Sequence, residues 1–173
     1  ILAISGKGQT IFFPKNNLGK NKLEQKKIKN NIDEILAENK YKLIGIRSLF
    51  HNNSKIYISL LFKSAQGYSM NIYVADLNYE KLNFELFFPT NNFTNDYNIH
   101  TAGRITEFKN NKLILSIGAP KETRENAQNI KSFEGKIISI NLNDKKTQII
   151  SMGHRNAQGL FYEDTLDLVI NTE

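Results

Sequence analysis

Cysteine is absent from this 173-residue chain. That excludes disulfides, thiol nucleophiles and zinc–thiolate sites together. It does not fix a compartment, because a chain of this length can bury a sizeable core without staples. Tryptophan is absent too, and neither tryptophan–aspartate nor kelch blade signatures occur. No apolar run approaches the roughly 18 residues of a membrane span. The chain opens at Ile1, leads straight into a strand-like pattern, and shows no basic stretch followed by an apolar one. It reads as trimmed at its start.

What is present is an ordinary globular composition, 40% hydrophobic and 23% charged, with a net charge of +6. The positive charge is concentrated between Lys15 and Lys29 and in turns such as Asp144-Lys145-Lys146. Lys and Asn are abundant throughout and Ile is the favoured apolar residue, a compositional bias that accounts for the charge without a nucleic-acid partner, and none is expected.

The chain repeats itself. Gly45 to Phe50, a polar turn at 51–54, and Ile56 to Ser59 form one hairpin pattern. Gly103 to Phe108, Asn110-Asn111, and Leu113 to Ser116 form the second. Gly159 to Tyr162, Glu163-Asp164, and Leu166 to Ile170 form the third. The leading glycines lie 58 and 56 residues apart. Between them fall hairpins of another kind, Asn71–Leu77 with Leu82–Phe87 and Lys136–Leu142 with Thr147–Ile150. Short β-branched runs broken by Asn, Asp and Gly read as strands. Two hairpins per unit make four strands per unit, which describes a propeller blade. A β-sandwich is the alternative, but it needs no fixed glycine interval. The fold class is therefore all-β, a β-propeller of about three four-stranded blades, as one partial domain with units near 1–63, 64–119 and 120–173. Asn21 to Glu38 breaks the pattern: Leu23, Ile28, Ile32, Ile35 and Leu36 fall largely at helical spacing, which predicts an inserted amphipathic helix on the outside of a blade.

Three histidines carry the candidate chemistry. His51 sits in a polar turn and reads as solvated. His100 and His154 each precede a repeat unit, so their loops share one end of the propeller, where ligands bind. His100 is a candidate general base. Arg155 can present a planar fork to a carboxylate or quinone oxygen, and Asn156 can add an amide donor. The alternative is that these residues cap turns and bond backbone carbonyls.

Gly153-His154-Arg155-Asn156-Ala157-Gln158-Gly159-Leu160, followed by Leu168 to Glu173, resembles the Gly-His-Arg-Asn-Pro-Gln-Gly-Leu segment of the soluble glucose/sorbosone dehydrogenase family. His100-Thr101-Ala102-Gly103-Arg104 is similar to that family's His-x-Gly-Gly-Arg. Ala127 to Ile137 is similar to its Ala-Gln-Asp-Leu-x-x-x-x-Gly-Lys-Ile. Leu43 to Ile46 with Phe50-His51 is similar to its first hairpin. The resemblance runs in order from about residue 40 to the end and covers about half of a family member.

It implies a six-bladed propeller and a periplasmic or secreted aldose dehydrogenase using pyrroloquinoline quinone (PQQ). His100 would take a proton from the sugar hydroxyl, and the catalytic pair would be His100 and Arg155. Arg155 and Asn156 would hold the quinone oxygens, while Gln158 supports the loop. No metal ligand is assigned; a calcium site would lie mostly beyond Glu173. The chain departs from the pattern at Ile99 and Ala119, where the family has Asp, at Ala157 for Pro, and in having no Gln near Asn39-Lys40-Tyr41. The favoured reading is a divergent quinoprotein sugar dehydrogenase acting on a sugar or small alcohol. The alternative is a non-catalytic propeller that binds a carbohydrate or protein at the same mouth. Three blades alone would leave strand edges open, so remaining blades or self-association are expected to complete the ring.

Overall fold

The computed structural model describes residues 1–14, 24–95 and 101–173. Two complete four-stranded antiparallel sheets stand at its centre. One runs through β4 (Lys42–Asn52), β5 (Lys55–Ser64), β6 (Gly67–Asp76) and β8 (Glu85–Pro89); the other through β9 (Ala102–Phe108), β10 (Lys112–Ile117), β11 (Lys136–Asn141) and β12 (Thr147–Met152). A hairpin of β13 (Gly159–Glu163) and β14 (Leu168–Thr172) follows. A smaller sheet precedes them, built from β1 (Leu2–Ile4), β2 (Thr10–Phe12), β3 (Lys26–Asn30) and the two-residue β7 (Lys81–Leu82). Each complete sheet joins a glycine-led hairpin to the hairpin after it. The limits drawn at 63/64 and 119/120 therefore fall within single sheets, the first at the last residue of β5, which pairs with β6, and the second between the paired strands β10 and β11.

The sheets are propeller blades because their middle strands are buried on both faces. Along β5, Ile56, Ile58, Leu60 and Phe62 face the preceding sheet and the helix, packing with Ile28, Ile32, Ile35, Leu82 and Phe84. The alternate residues Tyr57 and Leu61 face the next blade and pack, with Met70, Ile72, Phe87 and Phe88, on Leu113, Leu115, Ile117, Ile138 and Ile140. Ile114 and Ile137 then face Tyr162 of the following hairpin. Side chains alternate across a strand, so a strand sandwiched between neighbours reads as an unbroken apolar run. The first strands of successive blades adjoin: the Ile46 amide donates to the Gly6 carbonyl at 3.0 Å, and the Ile105 amide to the Ser48 hydroxyl at 3.3 Å.

The predicted helix over 21–38 is corrected in its extent. Residues 21–23 lie outside the described residues, and the α-helix α1 spans only Ile32–Glu38. Lys26–Asn30 is a strand instead, because its backbone pairs with Thr10–Phe12 on one side and Lys81–Leu82 on the other. Its single buried residue, Ile28, lies between exposed lysines, a strand pattern that helical spacing had masked. Asn31 fastens this region to the next blade: its amide group donates to the Phe84 carbonyl at 3.0 Å and accepts from the Phe84 amide at 2.7 Å. The same parallel pairing moves the return strand of the β6 hairpin from Leu82 to Glu85. The helix lies against the blade, with Ile32 and Ile35 buried. Among the described residues no helix is long and apolar enough to cross a membrane.

Candidate functional site at the loop end

Antiparallel blades put alternate connections at opposite ends. The segments 118–135 and 153–158, the residues described on either side of 96–100, and the end of β14 at Glu173 gather at one end. The tight turns 53–54, 109–111, 142–146 and 164–167 gather at the other. His51 lies toward that second end and is exposed. His100 and Ile99 lie outside the described residues. The residues after His100 are placed: the Thr101 carbonyl accepts from the Gly118 amide at 3.2 Å, and the Ala102 amide donates to Asn156 Oδ1 at 3.1 Å. The two motifs singled out in the sequence therefore meet. Asn156 lies directly against Ala102, two positions further along the same motif as His100.

The 153–158 segment is held residue by residue. The Gly153 amide donates to the Ala127 and Gly135 carbonyls, each at 3.0 Å, and the His154 amide to the Gly135 carbonyl at 3.1 Å. Both ring nitrogens of His154 are engaged, Nδ1 with Glu173 at 2.8 Å and Nε2 with the Ser151 hydroxyl at 2.9 Å. The other Glu173 oxygen accepts from the Arg155 amide at 3.3 Å, and the Arg155 carbonyl accepts from the Ala119 amide at 2.9 Å. Asn156 Oδ1 takes a second donor, Gln158 Nε2, at 2.8 Å. The Ala157 carbonyl accepts from the fully buried Ser116 hydroxyl at 3.0 Å. Arg155 itself is exposed, and with Lys121, Arg124, Gln128 and His154 it borders an open cleft of about 350 Å³.

Beneath the cleft lies a lysine with no exposed surface. Lys136 Nζ donates to the carbonyls of Asn126, Ala127 and Glu134, each at 2.8 Å. Burial pushes its ammonium below the usual lysine range, against the pull of Glu134. Its three acceptors bound the loop from which the Gly153 amide hangs, so the charge shapes the wall of the cleft rather than its contents. Gly135 completes that corner at φ +65.

Sequence reasoning singled out Arg155, Asn156 and Gln158. It missed Ser59 and Ser116 as fasteners between blades, the first donating to the Gly103 carbonyl at 2.6 Å. Their signal is a buried serine recurring 57 residues apart within an apolar strand. It also missed Glu173 as the partner of His154. Among the described residues no group of three or more His, Asp or Glu side chains could hold a metal ion.

The fold is that of a crystal structure from Thermus thermophilus described as a "putative oxidoreductase (glucose dehydrogenase)". The two agree with a TM-score of 0.58 at 18% identity, over 99% of this chain and 57% of that one. The chain thus spans little more than half the length of that structure. No curated protein matches it by sequence. The model of the family described as Glucose / Sorbosone dehydrogenase matches residues 18–173.

Proposed function

The chain belongs to the glucose/sorbosone dehydrogenase family, and from that membership we propose that it is part of a divergent quinoprotein sugar dehydrogenase, periplasmic or secreted, that transfers hydride from a sugar carbinol to PQQ. The observation that carries the reading is the donor set at the loop end. Asn156 Oδ1 is committed to the Ala102 amide and to Gln158, and in this reading the NH2 end of the carboxamide is the group offered to a ligand. Arg155 stands next to it, exposed at the cleft. Fixed N–H donors suit a ligand rich in carboxylate and quinone oxygens, so the residues present fit the group.

When bound, PQQ supplies the hydride acceptor. Arg155 and Asn156 would bind its oxygens and orient it, and their N–H groups would stabilise negative charge there. His100 would receive the proton of the sugar hydroxyl. Full-length protein supplied with PQQ and an aldose is expected to reduce a redox dye. His100→Ala and Arg155→Ala are each expected to lower that rate by about 10²-fold or more. An unchanged rate in either variant would show that the assigned role is wrong.

A second reading rests on Ala119. It is buried, its amide is spent on the Arg155 carbonyl, and it puts a methyl group where the family pattern has a carboxylate. A mouth without that acid suits a propeller that binds a carbohydrate or protein without turning it over. Absence of PQQ binding at micromolar concentration would favour this reading.

A further inference from the structure

We infer that Arg104 is a positioning residue for Asn156, acting through Gln158, and that it sets which end of the Asn156 carboxamide faces the ligand. Arg104 lies in β9, half-buried, and its guanidinium spans three successive blades. Nη1 donates to the Arg47 carbonyl of β4. Nε donates to the Gln158 carbonyl at 2.6 Å, and Nη2 to Gln158 Oε1 at 3.0 Å. The last bond decides the orientation of the Gln158 amide. With Oε1 held by the guanidinium, Nε2 points the other way and donates to Asn156 Oδ1 at 2.8 Å. Asn156 then has its oxygen fixed by two N–H donors, Gln158 and the Ala102 backbone.

The geometry needs arginine. A planar fork can meet a backbone carbonyl and a side-chain carbonyl of one residue while its third nitrogen reaches the neighbouring strand, whereas an ammonium is a single point. The backbone reinforces the link. The Arg104 amide donates to the Ser116 hydroxyl at 3.0 Å, which in turn donates to the Ala157 carbonyl at 3.0 Å. Arg104 therefore grips the loop at the two residues that follow Asn156, Ala157 and Gln158, without lining the cleft. Ala102, whose amide supplies the other donor, holds φ 50, a conformation that alanine adopts only under constraint.

This inference rests on the reading of Asn156 as a cofactor-binding group, and the test separates the two. The full-length protein is compared with Arg104→Lys, Gln158→Glu and Asn156→Ala, and with each of the first two combined with the third. Gln158→Glu keeps an acceptor for Arg104 and removes the donor to Asn156. Without quinone, both Arg104→Lys and Gln158→Glu are expected to shift the Asn156 side-chain NH2 resonances and to speed hydrogen exchange of the Ala102 amide. Equilibrium titration with PQQ is expected to show binding about tenfold weaker in each, an effect of one to two hydrogen bonds. In the Asn156→Ala background neither change is expected to weaken binding further. Equal weakening in both backgrounds overturns the inference, because Arg104 would then act on the ligand by another route. So does an unmoved Asn156 resonance in Arg104→Lys. If Asn156→Ala binds PQQ as tightly as the parent while the resonances shift as expected, the positioning stands and the cofactor reading falls.

Discussion

The two ends of the blades are built by different physics. At the turn end, most hydrogen bonds close within one blade: the Leu77 amide reaches the Ser54 carbonyl at 2.7 Å, and the Leu142 amide reaches that of Asn111 at 3.0 Å. Its ion pairs, Lys55–Asp76 at 2.7 Å and Lys146–Asp144 at 3.0 Å, are largely solvated, and such pairs contribute little. Among the described residues, one ion pair there joins separate blades, Lys109 with Asp167, and the Lys145 ammonium lies over the Phe87 ring of the preceding blade. At the loop end, the bonds of Ala102, Ala119, Ser116 and Arg104 all cross between blades, and several of the groups involved are buried. Apolar packing spaces the blades along their length. Buried polar groups then set the relative height of their loops, and that is the end where Arg155 and Asn156 are presented.

On this contrast the largest effect belongs to Lys136. Lys136→Met keeps the length of the side chain and removes the ammonium donor from the Ala127 and Glu134 carbonyls. With the bond to the Asn126 carbonyl, three charge-assisted bonds are lost, two of them buried, so a destabilisation of about 3 kcal/mol is expected. Urea unfolding should show a lower midpoint with an unchanged slope. A shift below about 0.5 kcal/mol would mean that water substitutes for the ammonium and that the loop end is no more demanding than the turns.

A smaller effect sharpens the same comparison with glycine and asparagine, both in the left-handed region. Gly135 stands at φ +65, and an added Cβ would come within 3.0 Å of Ala127 and of the His154 carbonyl oxygen. Gly135→Ala is expected to cost about 2 kcal/mol, from conformation and crowding together. Asn110 at the turn end has φ 57 and is exposed. Asn110→Gly is expected to stay within about 0.5 kcal/mol of the parent. Thermal unfolding of the two variants side by side checks the difference. Equal shifts would show that the turn and the loop corner are equally constrained.

The blades were legible because their signal is local and periodic. The glycine interval and the Asn-rich turns marked β4–β5 and β9–β10 well, and Asn110-Asn111 does occupy the left-handed turn. The helix was overdrawn at Lys26–Asn30 because a single buried Ile between lysines satisfies either period until its pairing partners are known, and Lys81–Leu82 lies some fifty residues away. The loop end was legible as a place, through the Gly153–Gly159 resemblance, and less so as a mechanism. Arg155 and Asn156 stand in one segment, but the residues that aim them, Arg104, Ser116 and Glu173, come from other strands. No spacing along the chain shows that a guanidinium in β9 ends on the carbonyl of Gln158.

The smallest expected effect tests the inter-blade ion pair at the turn end. Asp167 accepts from the Tyr162 hydroxyl at 2.9 Å and pairs with Lys109. The Lys109 ammonium first, and the Tyr162 hydroxyl second, hold its carboxyl below the usual carboxylate range. Tyr162 is in turn pushed up to about 12, by burial and then by the bond to Asp167. The signs follow from linkage. Asp167 is lowered, so its contribution is full above the ordinary value of 3.8 and is lost as the pH falls through the depressed one. Tyr162 is raised, so its contribution is full below the ordinary value of 10.0 and is lost as the pH climbs through about 12. Asp167→Asn should therefore lower the melting temperature slightly at neutral pH and converge on the parent in strong acid. It should also bring the ionisation of Tyr162, followed by ultraviolet absorbance, back toward ordinary tyrosine. A variant that melts well below the parent at neutral pH would place a structural demand at the turn end comparable to that of Lys136, and the contrast between the two ends would fail.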